Sequence, residues 1–196
     1  MGARGGGGGR GGGGGMASRF SPLLQGIPDA KVRKEIERAL EDYEKEFGIR
    51  QDIISVVPLG GGTLGRTEQS GRGSLAIGLD KGTFTKDAAS ITAIVNKEIK
   101  SGWFVETKKP IRQVLAHELG HATWSKFHKT PKAMAAKKEV LSAYRKFLKG
   151  GGAKGWGGYS KTSYGEWFAE GVAKHMYGTK DAHTQTIAGI IKKYGL

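Results

Sequence analysis

One pentapeptide, His117-Glu118-Leu119-Gly120-His121, constrains what this chain can fold into more than any other stretch. Pro110 just upstream suits the first turn of a helix, and Ile111, Val114, Leu115 and Leu119 follow with helical spacing. On that helix His117 and His121 stand one turn apart on a shared face, with Glu118 beside it. The pattern H-E-x-x-H is how one rigid element offers two imidazoles to a metal ion and a carboxylate as a base. Such a helix must be buried along its apolar stripe and open along its polar one. The rest of the chain therefore has to pack it and leave a cleft above the histidines.

The flanking sequence supplies the packing elements. Val32, Ile36, Leu40, Tyr43 and Phe47 recur at helical spacing after Asp29, and Gly48 ends the run. Ile49 to Val57 is β-branched and reads as a strand. Gly60 to Gly65 reads as a tight turn or hairpin; no G-K-[ST] follows, so it is not a phosphate loop. Leu75, Ile77 and Leu79 alternate with small residues as a second strand. Ile91, Ile94, Val95 and Ile99 mark another helix, closed near Gly102, after which Trp103 and Phe104 are expected to anchor the next turn in the core. Pro131 to Lys149 reads as a helix with Val140, Leu141, Tyr144 and Leu148 inward. Gly150 to Gly158 reads as a glycine-rich loop, a connector or a lid. Further helices are expected from about Ser163 and over Ala182 to Tyr194. Strands early and helices late predict an α+β fold.

Composition narrows the class. The chain has 196 residues, and its first fifteen are dominated by glycine, with Arg4 and Arg10 among them. Residues 1–20 are expected to be a flexible tail and 21–196 a single domain. There are no cysteines, which excludes disulfides and thiolate metal sites. No apolar run is long enough to cross a bilayer, so no membrane partner is expected. No secretory signal is evident, so secretion is not expected. The formal net charge is +14. Lys126, Lys129, Lys132, Lys137, Lys138, Arg145, Lys146 and Lys149 form a basic stretch that reads first as a solvated helix face, and second as a weak electrostatic contact for nucleic acid.

A catalytic zinc takes three protein ligands and keeps one position open. A third histidine six residues past His121 would define one class of site, but that position is Phe127; His128 is one residue out of register. The alternative is a carboxylate on a later helix. Glu166 and Glu170 lie one turn apart there, the first placed to bind metal and the second to hydrogen-bond a ligand histidine. Two plain solvated carboxylates are the competing reading. Ala169 between them is small and permits close helix packing. His175 and His183 read as packing or surface histidines, and Trp124, Trp156 and Trp167 as packing in the walls of the site.

The stretch Tyr159 to Glu170, with Glu166-Trp167-Phe168-Ala169-Glu170 at its end, resembles the Tyr…Glu-x-Phe-Ala-Glu signature of gluzincin metallopeptidases related to the anthrax lethal factor catalytic domain. It is similar also to peptidase-like domains of phage head and minor capsid proteins, which carry a Gly-Trp-Phe ahead of H-E-x-x-H as Gly102-Trp103-Phe104 does here. The resemblance covers about Leu75 to Glu170. It implies a zincin-like fold, a small N-terminal sheet packed on an active-site helix and followed by a helical half. It implies His117, His121 and Glu166 as Zn2+ ligands, Glu118 as general base, Glu170 as the carboxylate behind a ligand histidine, and Tyr159 as the phenol that stabilises the oxyanion or leaving amine. Tyr164 competes for that last role. Ser163 stands where the family has Asn. The implied activity is peptide-bond hydrolysis on a polypeptide substrate, with phage structural proteins as possible partners. An extended peptide is expected to pair with the Leu75–Leu79 strand if that strand is an edge. The rival readings are a capsid-associated structural module with a non-catalytic metal site, and a toxin-like protease effector.

Overall fold

A computed structural model describes residues 20–51, 53–69, 75–128 and 130–195. Most of the expected tail, residues 1–19, lies outside them. Phe20, assigned to the tail by composition, is buried and belongs to the core. The described residues form an α+β fold. In chain order the elements are helix α1 (Ala30–Phe47), strands β1 (Ile54–Val57), β2 (Gly65–Gln69) and β3 (Leu75–Asp80), and helices α2 (Lys81–Phe84), α3 (Ala88–Lys100), α4 (Pro110–Ser125), α5 (Pro131–Lys149), α6 (Tyr164–Tyr177) and α7 (Ala182–Tyr194).

Helix starts follow local chemistry. Asp29 caps α1, its Oδ1 accepting from Lys31 and Val32 N–H, while its Oδ2 accepts from Ala88 N–H at the start of α3. Thr130 and Ser163 cap α5 and α6. Gly48 closes α1 in the left-handed conformation, φ 69°, its N–H donating to Glu44 O.

The sheet order is β1-β3-β2. β1 runs parallel to β3, with Ile54 opposite Ile77, and β2 runs antiparallel to β3, with Thr67 opposite Ile77. Two expectations change. The first strand spans only Ile54–Val57 rather than Ile49–Val57, because its pairing with β3 starts where Ile77 N–H donates to Ile53 O at 3.0 Å. The Leu75–Leu79 strand is central, paired on both sides, so it has no free edge for a peptide. The edge beside α4 is β2. It went unread because Gly65-Arg66-Thr67-Glu68-Gln69 has no apolar alternation; charged residues of this kind are how edge strands resist pairing with stray chains.

The core fills the space between the sheet, α1, α4 and α6. α1 is pinned to α4 by Arg112, whose Nε donates to Glu35 Oε2 at 2.6 Å and whose guanidinium also reaches Asp42 at 3.2 Å. Tyr43 adds a buried hydroxyl pair with Thr123 at 2.5 Å and donates to Leu119 O. α5 buries Ala133, Ala136, Val140 and Phe147; Leu148, expected inward, is exposed, since Phe147 takes the core position on that turn.

Candidate metal centre

α4 and α6 are packed backbone to backbone. A Cβ on Gly120 would stand 2.7 Å from Ala169 Cα, so only glycine allows this approach. The closeness brings the carboxylate of Glu166 over the histidines of α4. His117 Nε2 and His121 Nε2 are 3.0 Å apart, and Glu166 Oε2 lies 3.3 Å from the first and 3.4 Å from the second. Among the described residues, these three form the group of donors able to hold a metal ion.

The donor set fits zinc. Three ligands on one face of a tetrahedron with bonds of about 2.0–2.1 Å are about 3.3 Å apart, which is the size of this triangle. Two imidazoles and one carboxylate are also borderline-hard donors of the type zinc accepts. Behind His117, its Nδ1 faces Glu170 Oε1 at 3.4 Å, and both His117 Nδ1 and Glu170 Oε2 are buried without an aligned hydrogen bond. A proton on Nδ1 directed at that carboxylate leaves Nε2 free as a donor. Burial pulls the His117 imidazole down, but the carboxylates of Glu166 and Glu170 outweigh it and carry it up to about 10. Burial pushes the Glu166 carboxyl up, while hydrogen bonds from His117 and His121 hold it well below the usual carboxylate range.

A cleft of about 410 Å³ opens above the triangle. Glu118 lines it and is buried; its Oε2 accepts from Thr67 Oγ1 at 3.1 Å, and the same hydroxyl reaches its carbonyl at 2.9 Å. β2 therefore holds the carboxylate in place. Gly65 leaves room for it, as a Cβ there would stand 2.7 Å from Glu118 Cγ. Neither Thr67 nor Gly65 was legible, because the strand carrying them has no apolar pattern. Gln113 also lines the cleft, one turn before His117. Its signal was present: a polar residue repeating at i−4 on the face that carries both histidines.

Tyr159 lines the cleft from the opposite side, its ring centroid 6.4 Å from that of His117. Burial, with the negative charges of Glu166, Glu98 and Glu170, raises the phenol above its ordinary range, so it stays protonated as a donor. Tyr164 packs on Trp124 and Tyr144 and does not line the cleft. The aromatic walls are Phe104 and Tyr159 rather than the expected tryptophans: Trp156 and Trp167 stack on each other and pack with Phe147, and Trp124 packs on Phe127 and Phe168. Trp103, expected in the core, is 45% exposed and packs against Tyr159 at 5.1 Å.

The glycine-rich loop is anchored where it meets the cleft. Trp156 is buried, and its Nε1 donates to Asp181 Oδ2 at 2.8 Å. Gly158 N–H donates to Gly102 O at 2.7 Å, and a Cβ on Gly157 would overlap Trp103 O. These bonds tie down the segment leading to Tyr159. His175 is buried beside Glu46, at 3.1 Å, and His183 packs edge-on against Phe147, as packing histidines. No protein-family model, curated protein or solved structure matches the chain.

Proposed function

We propose that this chain is a zinc-dependent peptidase of the zincin-like type. The observation that carries the reading is the size of the His117–His121–Glu166 triangle together with a buried carboxylate, Glu118, in the same cleft. Zinc held by these three side chains supplies Lewis-acid chemistry, acidifying water and polarising a carbonyl. Glu118 takes the proton of the attacking water and passes it to the departing amine, with Thr67 keeping the carboxylate in place. Tyr159 donates to the developing oxyanion. The free edge of β2 supplies backbone groups that an extended peptide can pair with across the cleft. A role beside phage structural proteins rests on the sequence resemblance alone.

Retention of a buried base beside the triangle favours catalysis over a purely structural metal cage, which needs none. The test is Glu118→Gln. It is expected to keep about one zinc per chain and to lose 10²-fold or more in kcat on a peptide library. Equal cleavage by variant and parent sinks the mechanism. Zinc bound by both with cleavage by neither, and a chelator-induced fall in Tm, favours the structural module.

A further inference from the structure

Two acceptors of the cleft, the Glu98 carboxylate and Gln113 Oε1, have no hydrogen-bond partner among the described residues. Glu98 lies near the end of α3, and its carbonyl accepts from the N–H groups of Trp103 at 3.0 Å and Phe104 at 3.3 Å. Those bonds tie it to the turn that carries Phe104. The residue is half-buried and lines the cleft with Phe104 and Tyr159. Its carboxylate forms no hydrogen bond or ion pair among the described residues. Gln113 lines the same cleft. Its Nε2 donates to Val105 O at 2.9 Å, which fixes the amide's orientation and leaves Oε1 buried as an acceptor with no donor.

The other acidic groups of the cleft are committed. Glu118 accepts from Thr67, Glu166 meets both imidazoles, and Glu170 faces His117 Nδ1. Arg66, on the β2 wall, is half exposed and paired with Glu68 at 3.4 Å, so it does not answer Glu98. A carboxylate that has lost part of its hydration regains it from N–H donors, and an adjoining aromatic ring adds attraction for a cation. Glu98 is an uncompensated carboxylate within a chain of net charge +14.

We propose that Glu98 determines the specificity of a cation-accepting subsite, which takes an ammonium or guanidinium group of a peptide substrate at the α3 end of the cleft. The proposal rests on the peptidase reading for its substrate class. The cation has two sources, a Lys or Arg side chain or a free amino terminus.

Three peptides of otherwise equal sequence separate them: an acetylated peptide with a central Lys, the same with norleucine, and the norleucine peptide with a free amino terminus. The full zinc-loaded chain is assayed for kcat/KM, and the Glu118→Gln chain for Kd by fluorescence anisotropy, a readout independent of turnover. Preference for the Lys peptide marks a side-chain subsite, and preference for the free amine marks a terminal one; either is expected at about 10-fold over acetylated norleucine. Glu98→Gln, of equal size, is expected to erase that ratio, and Glu98→Lys to invert it in favour of a central Glu. A preference that survives Glu98→Gln, an equal loss on all peptides, or no cation preference in binding overturns the subsite. Glu98-dependent binding of cationic peptides with no cleavage of any peptide overturns the peptidase reading and leaves the subsite standing.

Discussion

The floor of the cleft is two helices in backbone contact, α4 on α6, where a Cβ on Gly120 would stand 2.7 Å from Ala169 Cα. One wall, β2, is a five-residue edge strand paired among the described residues with β3 alone, and the other is an aromatic rim carried by connecting segments between the main helices. The floor carries the three metal donors and the walls carry the groups that would meet a substrate. Placement of donors to within tenths of an ångström is a packing problem, and close-packed helices solve it. Presentation of an edge and a phenol requires surface, and surface elements tolerate it. Substitutions that disturb the packing of the floor should therefore cost stability and metal together, and those at Glu118 and in the walls should cost turnover alone.

The largest expected effect is in the rim. Tyr159→Phe should raise the barrier by about 2–4 kcal/mol, read as a fall of about 30-fold to 10³-fold in kcat, with Tm and zinc content held. A parallel drop in Tm would erase the distinction between floor and wall. Next comes the floor itself. Gly120→Ala forces α4 and α6 apart and should cost about 1–3 kcal/mol of stability despite alanine's better helix propensity, with weaker zinc binding by calorimetry. Stability regained without loss of zinc would show that the helices need not touch. Thr67→Val removes the hydroxyl that holds Glu118 and should cost about 1 kcal/mol, seen as a several-fold fall in kcat/KM with zinc affinity unchanged.

The smallest effect is a proton count. In the metal-free protein His117 is carried up to about 10, so at pH 8 it holds a proton that zinc must displace. Calorimetry in buffers of different ionisation enthalpy should register release of about one proton, with affinity rising as pH rises toward 10. The same charge stabilises the metal-free fold fully below the ordinary imidazole value near 6.5, and that contribution is lost as pH climbs through the raised value. Zero proton release at pH 8 would mean that Glu166 and Glu170 do not hold His117 charged.

The floor was legible in residue spacing; of the walls, Tyr159 was reached only through the family resemblance and β2 was not reached at all. Helical periodicity placed α4 and α6, the H-E-x-x-H spacing put both imidazoles on one face, and the small Ala169 pointed to close packing. Each of these is a local signal with a period. β2 has none, since Gly65 to Gln69 has no apolar side chain and its role arises only from pairing with β3 and from Thr67 meeting Glu118, 51 residues on. The same holds for Leu75–Leu79: its alternation revealed a strand, but only pairing order shows it to be central. Trp103 misled because a large aromatic side chain predicts burial, whereas here it flanks Tyr159 near the surface.

Gly157 lies against the Trp103 backbone with no space for a side chain, and Gly158 N–H donates to Gly102 O at 2.7 Å. The two segments that carry Phe104 and Tyr159 are thereby joined backbone to backbone. The backbone under Phe104 and the backbone under the phenol are placed together, which sets the two rings of the rim 5.7 Å apart.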